Sequence, residues 1–416
     1  MSTAVATEIV ARPVVLARDR AIAAAVGFAA LLWFVWLSGW LGVQPGAVFV
    51  KRQNVLFNSD TSIWLGKIVG HEKAPTKAIH PLEVVLWRPP VQALSHALTT
   101  FLPAEYAGIL AARLLVASLA GIGVGLLAFL ALKLGIDRLQ CGLLFLTYFL
   151  FTSSTTIALP EHFGISNGLL SIAFVGPIIF TDPAVRLGLL GIMTVLCGGT
   201  TITNVLYPAA AFLQYGLRST RARMVVLLSA IPVGLAMGWF LFRHSFTIHA
   251  YVSGYSNFRL VRHPLSALVY AVYTLVAPAV GPSPLILRYP GWDMVCYEPA
   301  YQPLRLSYYL GIQAVGAIAW CILLVLCVYH AMKDTRVRAY VWLPMGWLLF
   351  SILFHNIWGD ELQLYAPHWS WALMALVILG ARHLSRRLTA VLVAPMMVSQ
   401  IYTLLAIKKA LLTVLQ

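Results

Sequence analysis

Residues 104–134 read AEYAGILAARLLVASLAGIGVGLLAFLALKL, and this stretch decides the fold class of the chain. A helix needs about 20 apolar residues to cross a hydrocarbon core of roughly 30 Å. At about 1.5 Å per residue, a helix of roughly 31 residues is about 46 Å long. We therefore expect a transmembrane helix whose outer end, Ala104–Arg113, projects beyond the lipid and supports the preceding loop.

Similar apolar stretches recur along the 416 residues, of which 60% are hydrophobic and only 10% charged. A soluble domain needs far more charge than this to cover its surface. Because lipid cannot satisfy backbone polar groups, the spanning segments are expected to be helices. We predict an all-α, polytopic membrane helical bundle that forms one integral domain over residues 1–416. About 11 spans are expected, at 21–43, 104–134, 141–158, 165–181, 186–200, 202–217, 224–243, 307–331, 340–358, 369–383 and 388–407.

The net charge of +15 comes from arginines and lysines that punctuate the spans. They form no soluble basic domain, so no nucleic-acid partner is predicted. With a cytoplasmic N-terminus, every short inner connection is basic, as the positive-inside rule requires. This pattern predicts a multi-pass protein of the cytoplasmic (inner) membrane. Two long extracytoplasmic loops are expected at 44–103 and 244–306, with interfacial helices in the first at 60–70 and, interrupted at Pro89 and Pro90, at 82–102.

Asp60 is the first acidic residue of the outer face, soon after the first span. A carboxylate between bilayer and water is well placed to take a proton from a hydroxyl, because partial desolvation raises its basicity. The alternative is an N-cap, in which Ser59 or Asp60 accepts hydrogen bonds from backbone N–H groups of the 60–70 helix. The sequence leaves both interpretations open.

Basic side chains are unusually frequent in the first outer loop, and Lys67 and Arg88 are among them. Their excess favours an anionic partner such as a phosphate or diphosphate lipid head. Long loops also cross membranes regardless of their charge, which is the alternative. Arg88 lies within an apolar helix, where a lone guanidinium is costly unless it is paired.

Further polar residues are expected near the same face. His80 lies in the first loop, and Glu161 and His162 follow the third predicted span. A second carboxylate at the depth of Asp60 could hold a divalent cation or orient a basic residue. Glu161 is therefore the candidate metal ligand, although both residues could instead simply end a helix in water.

A dense polar segment, DELQLYAPH, occupies residues 360–368 between two late spans. It includes Glu361, Tyr365 and His368. Such a cluster fits the roof of a site and equally fits an exposed turn.

Taken in order, several of these segments resemble the GT-C superfamily of membrane glycosyltransferases, in particular the branch of protein O-mannosyltransferases and the lipid A aminoarabinose transferase. The resemblance covers about the first 170 residues. The segments are the outer-loop aspartate in DTSIW (60–64), RPPVQALS (88–95), the acidic and aromatic start of the second span at 105–106 with its arginine in AARL (111–114), and PE (160–161).

This resemblance implies transfer of a sugar from a polyprenyl-phosphate donor at the outer face, with inversion at the anomeric carbon. Asp60 would be the base, and Arg88 with lysines such as Lys67 would neutralise the departing phosphate. Glu161 would bind the donor or a divalent cation. His80 and the residues from Glu361 to His368 would line the cavity.

The sequence departs from the family pattern at Thr61, where many relatives have a second acidic residue. This departure fits a small or lipid acceptor better than a protein. Two other functions compete with glycosyl transfer. One is a polysaccharide polymerase or ligase, and the other is a flippase or transporter of lipid-linked sugars. A transporter would need ionisable residues at mid-membrane and often internal repeats, and the sequence shows neither.

Overall fold

The computed structural model describes residues 17–44, 55–57, 59–70, 80, 82–180, 182–216, 264–289, 292–297, 309, 311–357 and 362–415. The first helices in chain order are α1 (Ala17–Leu41), α2 (Thr61–Ile68), α3 (Glu83–Leu98), α4 (Ala104–Lys133), α5 (Arg138–Phe149), α6 (Ser154–Ile157), α7 (His162–Ile179), α8 (Pro183–Thr200), α9 (Leu206–Gly216) and α10 (Pro264–Val276). After them come β1 (Leu285–Tyr289), β2 (Trp292–Cys296), α11 (Ile312–Lys333), α12 (Arg338–Ile357), α13 (Leu362–Tyr365), α14 (Pro367–Ala381) and α15 (Arg386–Leu415).

Within the described ranges, seven helices are long and apolar enough to cross a bilayer: α1, α4, α7, α8, α11, α12 and α15. The protein is therefore a helical, multi-pass membrane protein, as the composition predicted. The expected span 141–158 is divided, because α5 ends at Phe149 and only the short α6 follows. The expected spans 202–217 and 369–383 correspond to the 11-residue α9 and the 15-residue α14. The expected span 224–243 lies outside the described residues.

Small residues bring the central helices into close contact. A Cβ on Gly27 of α1 would lie 2.9 Å from the carbonyl oxygen of Gly121 in α4. A Cβ on Gly168 of α7 would collide with the backbone carbonyl of Leu119 in α4. Small residues drive this kind of backbone approach in membranes, where apolar burial alone does not favour helix association. Helix α4 is therefore the centre of the bundle, with α1 and α7 packed directly on its backbone.

One end of the bundle carries ion pairs between helix termini. Arg138 contacts Asp19 with 2.9 Å between Nη2 and Oδ1, which joins the starts of α5 and α1. Arg386 contacts Asp137 at 2.7 Å. Asp334 is bonded by Arg382. We call this end, defined by these three carboxylates and their arginines, the basic end.

The two helices of the first long loop exist, but they differ from the expected surface helices. In α2, Trp64 and Ile68 are buried in the protein core rather than free to anchor in lipid. Helix α3 runs through Pro89 and Pro90 without a break. Both prolines are exposed, so the carbonyl groups that lose their N–H partners lie on the outer side of the helix.

The second long loop contributes structure to the same end as the first. Within it, α10 carries the buried side chains of Tyr270 and Tyr273. Strands β1 and β2 form an antiparallel hairpin in which Leu285 pairs with Cys296. Val295 of β2 makes a bridge to Leu56 of the first loop. The described parts of the two long loops are thus joined through their backbones.

Candidate functional site

Glu161 is the most buried acidic group at the end of the bundle opposite the basic end. It immediately precedes α7, in extended conformation with φ −140° and ψ 171°, and its side chain makes no capping hydrogen bond. The residue is 0% exposed. The expectation that it merely ends a helix in water is therefore wrong. Thr61, the first residue of α2, donates its hydroxyl hydrogen bond to Glu161 Oε1.

The environment of Glu161 favours its neutral form. Burial raises the pKa of Glu161 to about 8; the Thr61 hydrogen bond opposes the rise, and the nearby Asp60 and Glu83 carboxylates add to it. Glu161 Oε2 accepts no hydrogen bond from the part of the chain that the structure describes. At neutral pH this carboxyl retains its proton, so it can donate a hydrogen bond to a ligand oxygen.

Asp60 occupies the N-cap position of α2, with φ −95° and ψ 27°. Its side chain nevertheless makes no capping hydrogen bond. The N-cap interpretation is therefore correct for the backbone position and wrong for the carboxylate. That carboxylate is half-buried and close enough to Glu161 to affect its pKa. The two acidic residues named from the sequence, 101 positions apart, lie together.

Lys67, Glu83 and His162 form a second buried group beside this pair. Lys67 Nζ lies 3.7 Å from Glu83 Oε2, and the two side chains are 8% and 3% exposed. His162 Nδ1 lies 3.6 Å from the other oxygen, Glu83 Oε1. Helices α2, α3 and α7 therefore each contribute one ionisable side chain to a site closed to bulk water.

His80 completes this group from the segment before α3. Its Nδ1 lies 2.8 Å from the carbonyl oxygen of Thr200, the last residue of α8. The hydroxyl of Thr200 also accepts a hydrogen bond from Trp87 Nε1 at 3.1 Å. The ring of His80 packs on that of His162, with centroids 4.0 Å apart. We call Asp60, Thr61, Lys67, His80, Glu83, Glu161 and His162 the acid–histidine cluster.

Arg88 reaches this cluster through a backbone contact. Its Nε donates to the carbonyl oxygen of Lys67 at 2.6 Å, and this bond ties α3 to α2. The Arg88 guanidinium is therefore hydrogen-bonded, as expected because an unpaired charge in an apolar helix is costly. This contact is to the backbone of Lys67, the lysine of the cluster.

The segment around residue 365 forms an aromatic wall beside His162. Tyr365 and His368 pack on Phe163, with ring centroids 5.9 and 5.5 Å away. His368 Nδ1 also lies 2.9 Å from Asn204 Oδ1. Leu362 and Leu364 of α13 are buried. An exposed turn is therefore the wrong interpretation here, while Glu361 lies outside the described residues.

Sequence reasoning gave no role to Glu83 or Thr200. Glu83 is the first residue of α3 and comes only three residues after His80. That spacing was the available signal. Thr200 acts through its backbone oxygen, which no residue pattern reveals. The ring of His355 stacks on Tyr365 with centroids 4.7 Å apart.

The site therefore joins acidic groups, a lysine, two histidines and an aromatic wall at one end of a membrane bundle. Such a set can move a proton at a carboxylate, hold an anion at a cation and stack an aromatic ring on a sugar. No family model, curated protein or solved structure matches the chain.

Proposed function

We propose that this protein is a glycosyltransferase that moves a sugar from a polyprenyl-phosphate donor to a hydroxyl of a lipid or glycan acceptor, with inversion at the anomeric carbon. One observation carries the proposal: Lys67, Glu83 and Glu161 are buried together beside Asp60 at one end of the bundle. Ionisable residues are costly in a membrane protein interior and are retained there for function.

Asp60 is the proposed general base. Its carboxylate takes the proton of the acceptor hydroxyl as the acceptor oxygen forms a bond to the anomeric carbon. The bond between that carbon and the phosphate oxygen breaks, and its electron pair leaves with the polyprenyl phosphate. The proton passes from Asp60 to water after the product departs. Asp60 suits this role because its side chain is half-buried and is not used to cap α2.

The departing phosphate gains one negative charge and needs a cation rather than a proton donor. Lys67 is the proposed partner, because it is a buried ammonium at the cluster. Arg88, held on the Lys67 carbonyl, supplies a second positive charge to the same region. Glu161 and His162 would contact the sugar, and Tyr365 with His368 would form the wall against which it packs.

Charge at the two ends of the bundle supports an orientation. By the positive-inside rule, we assign the basic end to the cytoplasmic side and the acid–histidine cluster to the extracytoplasmic side of the inner membrane. Thr61, at the position where many GT-C members have a second acidic residue, hydrogen-bonds Glu161 instead.

The test measures transfer of labelled sugar from polyprenyl-phosphate donors in membranes that contain the wild-type protein or Asp60→Asn. We expect the substitution to lower the rate by about 10²- to 10⁴-fold, the range for loss of a general base. Asp182→Asn is the matched control. Asp182 is also a helix N-cap, but it is exposed at the start of α8.

Transfer by Asp60→Asn at the wild-type rate would show that another group is the base. Equal losses in both variants would point to a general effect of removing a carboxylate from the protein. If wild-type membranes instead move the labelled lipid across the bilayer without transferring its sugar, the protein is a flippase. Formation of long glycan products would indicate a polymerase or ligase.

A further inference from the structure

Three side chains of the acid–histidine cluster are arranged like the ligands of a metal ion. His80, Glu83 and His162 each offer one ligand atom, and these atoms all lie within 4.8 Å of one another. The residues are buried, with exposed fractions of 8%, 2% and 7%. Two histidines with one glutamate form a known zinc-ligand set.

The contact between His80 and Thr200 prepares His80 for ligation. The carbonyl oxygen of Thr200 can only accept a hydrogen bond, so Nδ1 of His80 carries the proton. In the neutral ring the lone pair is then on Nε2. Metal-bound histidines usually donate their other ring N–H to a carbonyl or carboxylate, which fixes the tautomer in this way.

The two oxygens of Glu83 have different neighbours. Oε1 is 3.6 Å from His162 Nδ1, and Oε2 is 3.7 Å from Lys67 Nζ. Both distances exceed that of a good hydrogen bond. An ion held by Oε1 and the two imidazoles would therefore leave Oε2 in place beside the lysine.

The spacing requires only small movements to close around an ion. Ligand atoms at about 2.1 Å from a zinc ion lie roughly 3.0 to 3.4 Å from one another. Starting from separations of up to 4.8 Å, side-chain shifts of about 1 Å would reach this geometry.

We infer that His80, Glu83 and His162 bind one divalent transition-metal ion, with Zn²⁺ as the best fit. Two imidazole nitrogens favour zinc over magnesium and calcium, which prefer oxygen ligands. Three protein ligands leave one position of a tetrahedral ion open to water or to an anionic oxygen. The ligand set differs from the sequence prediction, in which Glu161 was the candidate. Glu161 instead bonds Thr61.

The inference does not depend on the proposed glycosyl transfer. Its test uses tag-free protein in detergent, stripped with a chelator and titrated with Zn²⁺ alone, with metal content measured by mass spectrometry. We expect one zinc per chain. We expect the affinity for zinc to fall by about 100-fold or more in each of the three variants His80→Ala, Glu83→Gln and His162→Ala. Loss of a residue that only hydrogen-bonds to a metal ligand already lowers metal affinity by about 10- to 100-fold.

Two histidine variants are controls. His96→Ala removes an exposed histidine of α3, and His355→Ala removes a buried imidazole outside the three ligands. Both should bind zinc like the wild type. Monodispersity and the zinc-free melting temperature establish that each variant is folded, and His80→Ala keeps the test valid if Glu83→Gln does not fold.

Two results would overturn the inference: wild-type protein that binds no zinc, or zinc that is retained equally by all three ligand variants. Zinc binding without sugar transfer would refute only the proposed function. Sugar transfer by protein that binds no zinc would refute only the metal site.

Discussion

The acid–histidine cluster and the basic end both place carboxylates near cations, but they do so in different ways. At the basic end, Arg138 and Arg386 approach their aspartates to 2.9 and 2.7 Å. In the cluster, His162 Nδ1 and Lys67 Nζ lie 3.6 and 3.7 Å from the Glu83 oxygens, and this carboxylate is more deeply buried. Short pairs at partly exposed helix termini fasten the bundle. The cluster instead gathers its ionisable groups in the protein interior, where they are costly and are retained for function.

The largest expected difference is in the rate of sugar transfer, between a variant that lacks a lysine of the cluster and one that lacks a lysine of the basic end. Lys67→Met keeps the apolar stem and removes the charge proposed to stabilise the leaving phosphate. We expect sugar transfer to fall by about 10²- to 10³-fold, the range for loss of one electrostatic stabiliser. Lys333→Met, an exposed lysine at the end of α11, should leave transfer within the assay error. Equal rates in the two variants would remove Lys67 from the mechanism.

Removing one carboxylate from the cluster should destabilise the protein more than removing one from the basic end. Glu83→Gln leaves Lys67 buried without its carboxylate, and loss of one partner of a buried pair costs about 3 kcal/mol or more. Asp137→Asn loses the contact with Arg386 but can still cap α5, so its cost should stay below about 1 kcal/mol. Apparent melting temperatures in detergent provide the comparison. A smaller shift for Glu83→Gln than for Asp137→Asn would contradict this prediction.

The position of His162 in the cluster also depends on the close contact between α7 and α4. A glycine-to-alanine substitution, which adds one methyl group at this contact, can test it. Gly168→Ala places a Cβ against the Leu119 carbonyl, and such overpacking costs about 1 to 3 kcal/mol. Gly188→Ala in α8 meets no atom within 4 Å and should instead be neutral or stabilising by up to about 1 kcal/mol. Thermal unfolding of the two variants checks the difference. Equal shifts would mean that the α4–α7 approach is not tight.

The smallest expected effect is a pH dependence at the basic end. Desolvation raises the pKa of Asp334, but hydrogen bonds from His383 and Arg336 and the charge of Arg382 outweigh it, so the pKa lies below 3.8. A carboxyl with a lowered native pKa stabilises the fold above its unfolded pKa, and this contribution disappears as the pH falls through the native value.

Wild-type protein should therefore melt slightly above Asp334→Asn at neutral pH. The gap should shrink as the pH falls below 3.8. Asp182→Asn, an exposed N-cap at the same end, controls for general acid effects. A gap that is constant over the whole pH range would show that Asp334 does not stabilise the fold through its charge.

The features predicted correctly from the sequence are those with a local physical cause. Hydropathy over a window of residues determines whether a helix can cross lipid, so the long α4 and most other spans were found. The pattern of an acidic residue just after a span predicted that Asp60 and Glu161 share one end. The structure brings them together through α2 and the start of α7.

The features that were missed depend on contacts between distant segments. The continuous helix through Pro89 and Pro90 runs against local propensity, so tertiary packing decides it. Tyr365 and His368 pack on Phe163 of α7, which lies some 200 residues earlier in the chain. The pairing of His80 and Glu83 with His162 is likewise invisible in any local window.

Thr200 holds the segment before α3 through its carbonyl, which contacts His80, and holds α3 itself through its hydroxyl, which contacts Trp87. It is also the last residue of a helix long enough to cross the membrane. Tilting of α8 in response to bilayer thickness would therefore move the His80 imidazole directly. A change in the lipid composition of the membrane would thus shift a residue of the acid–histidine cluster even when no substrate is bound.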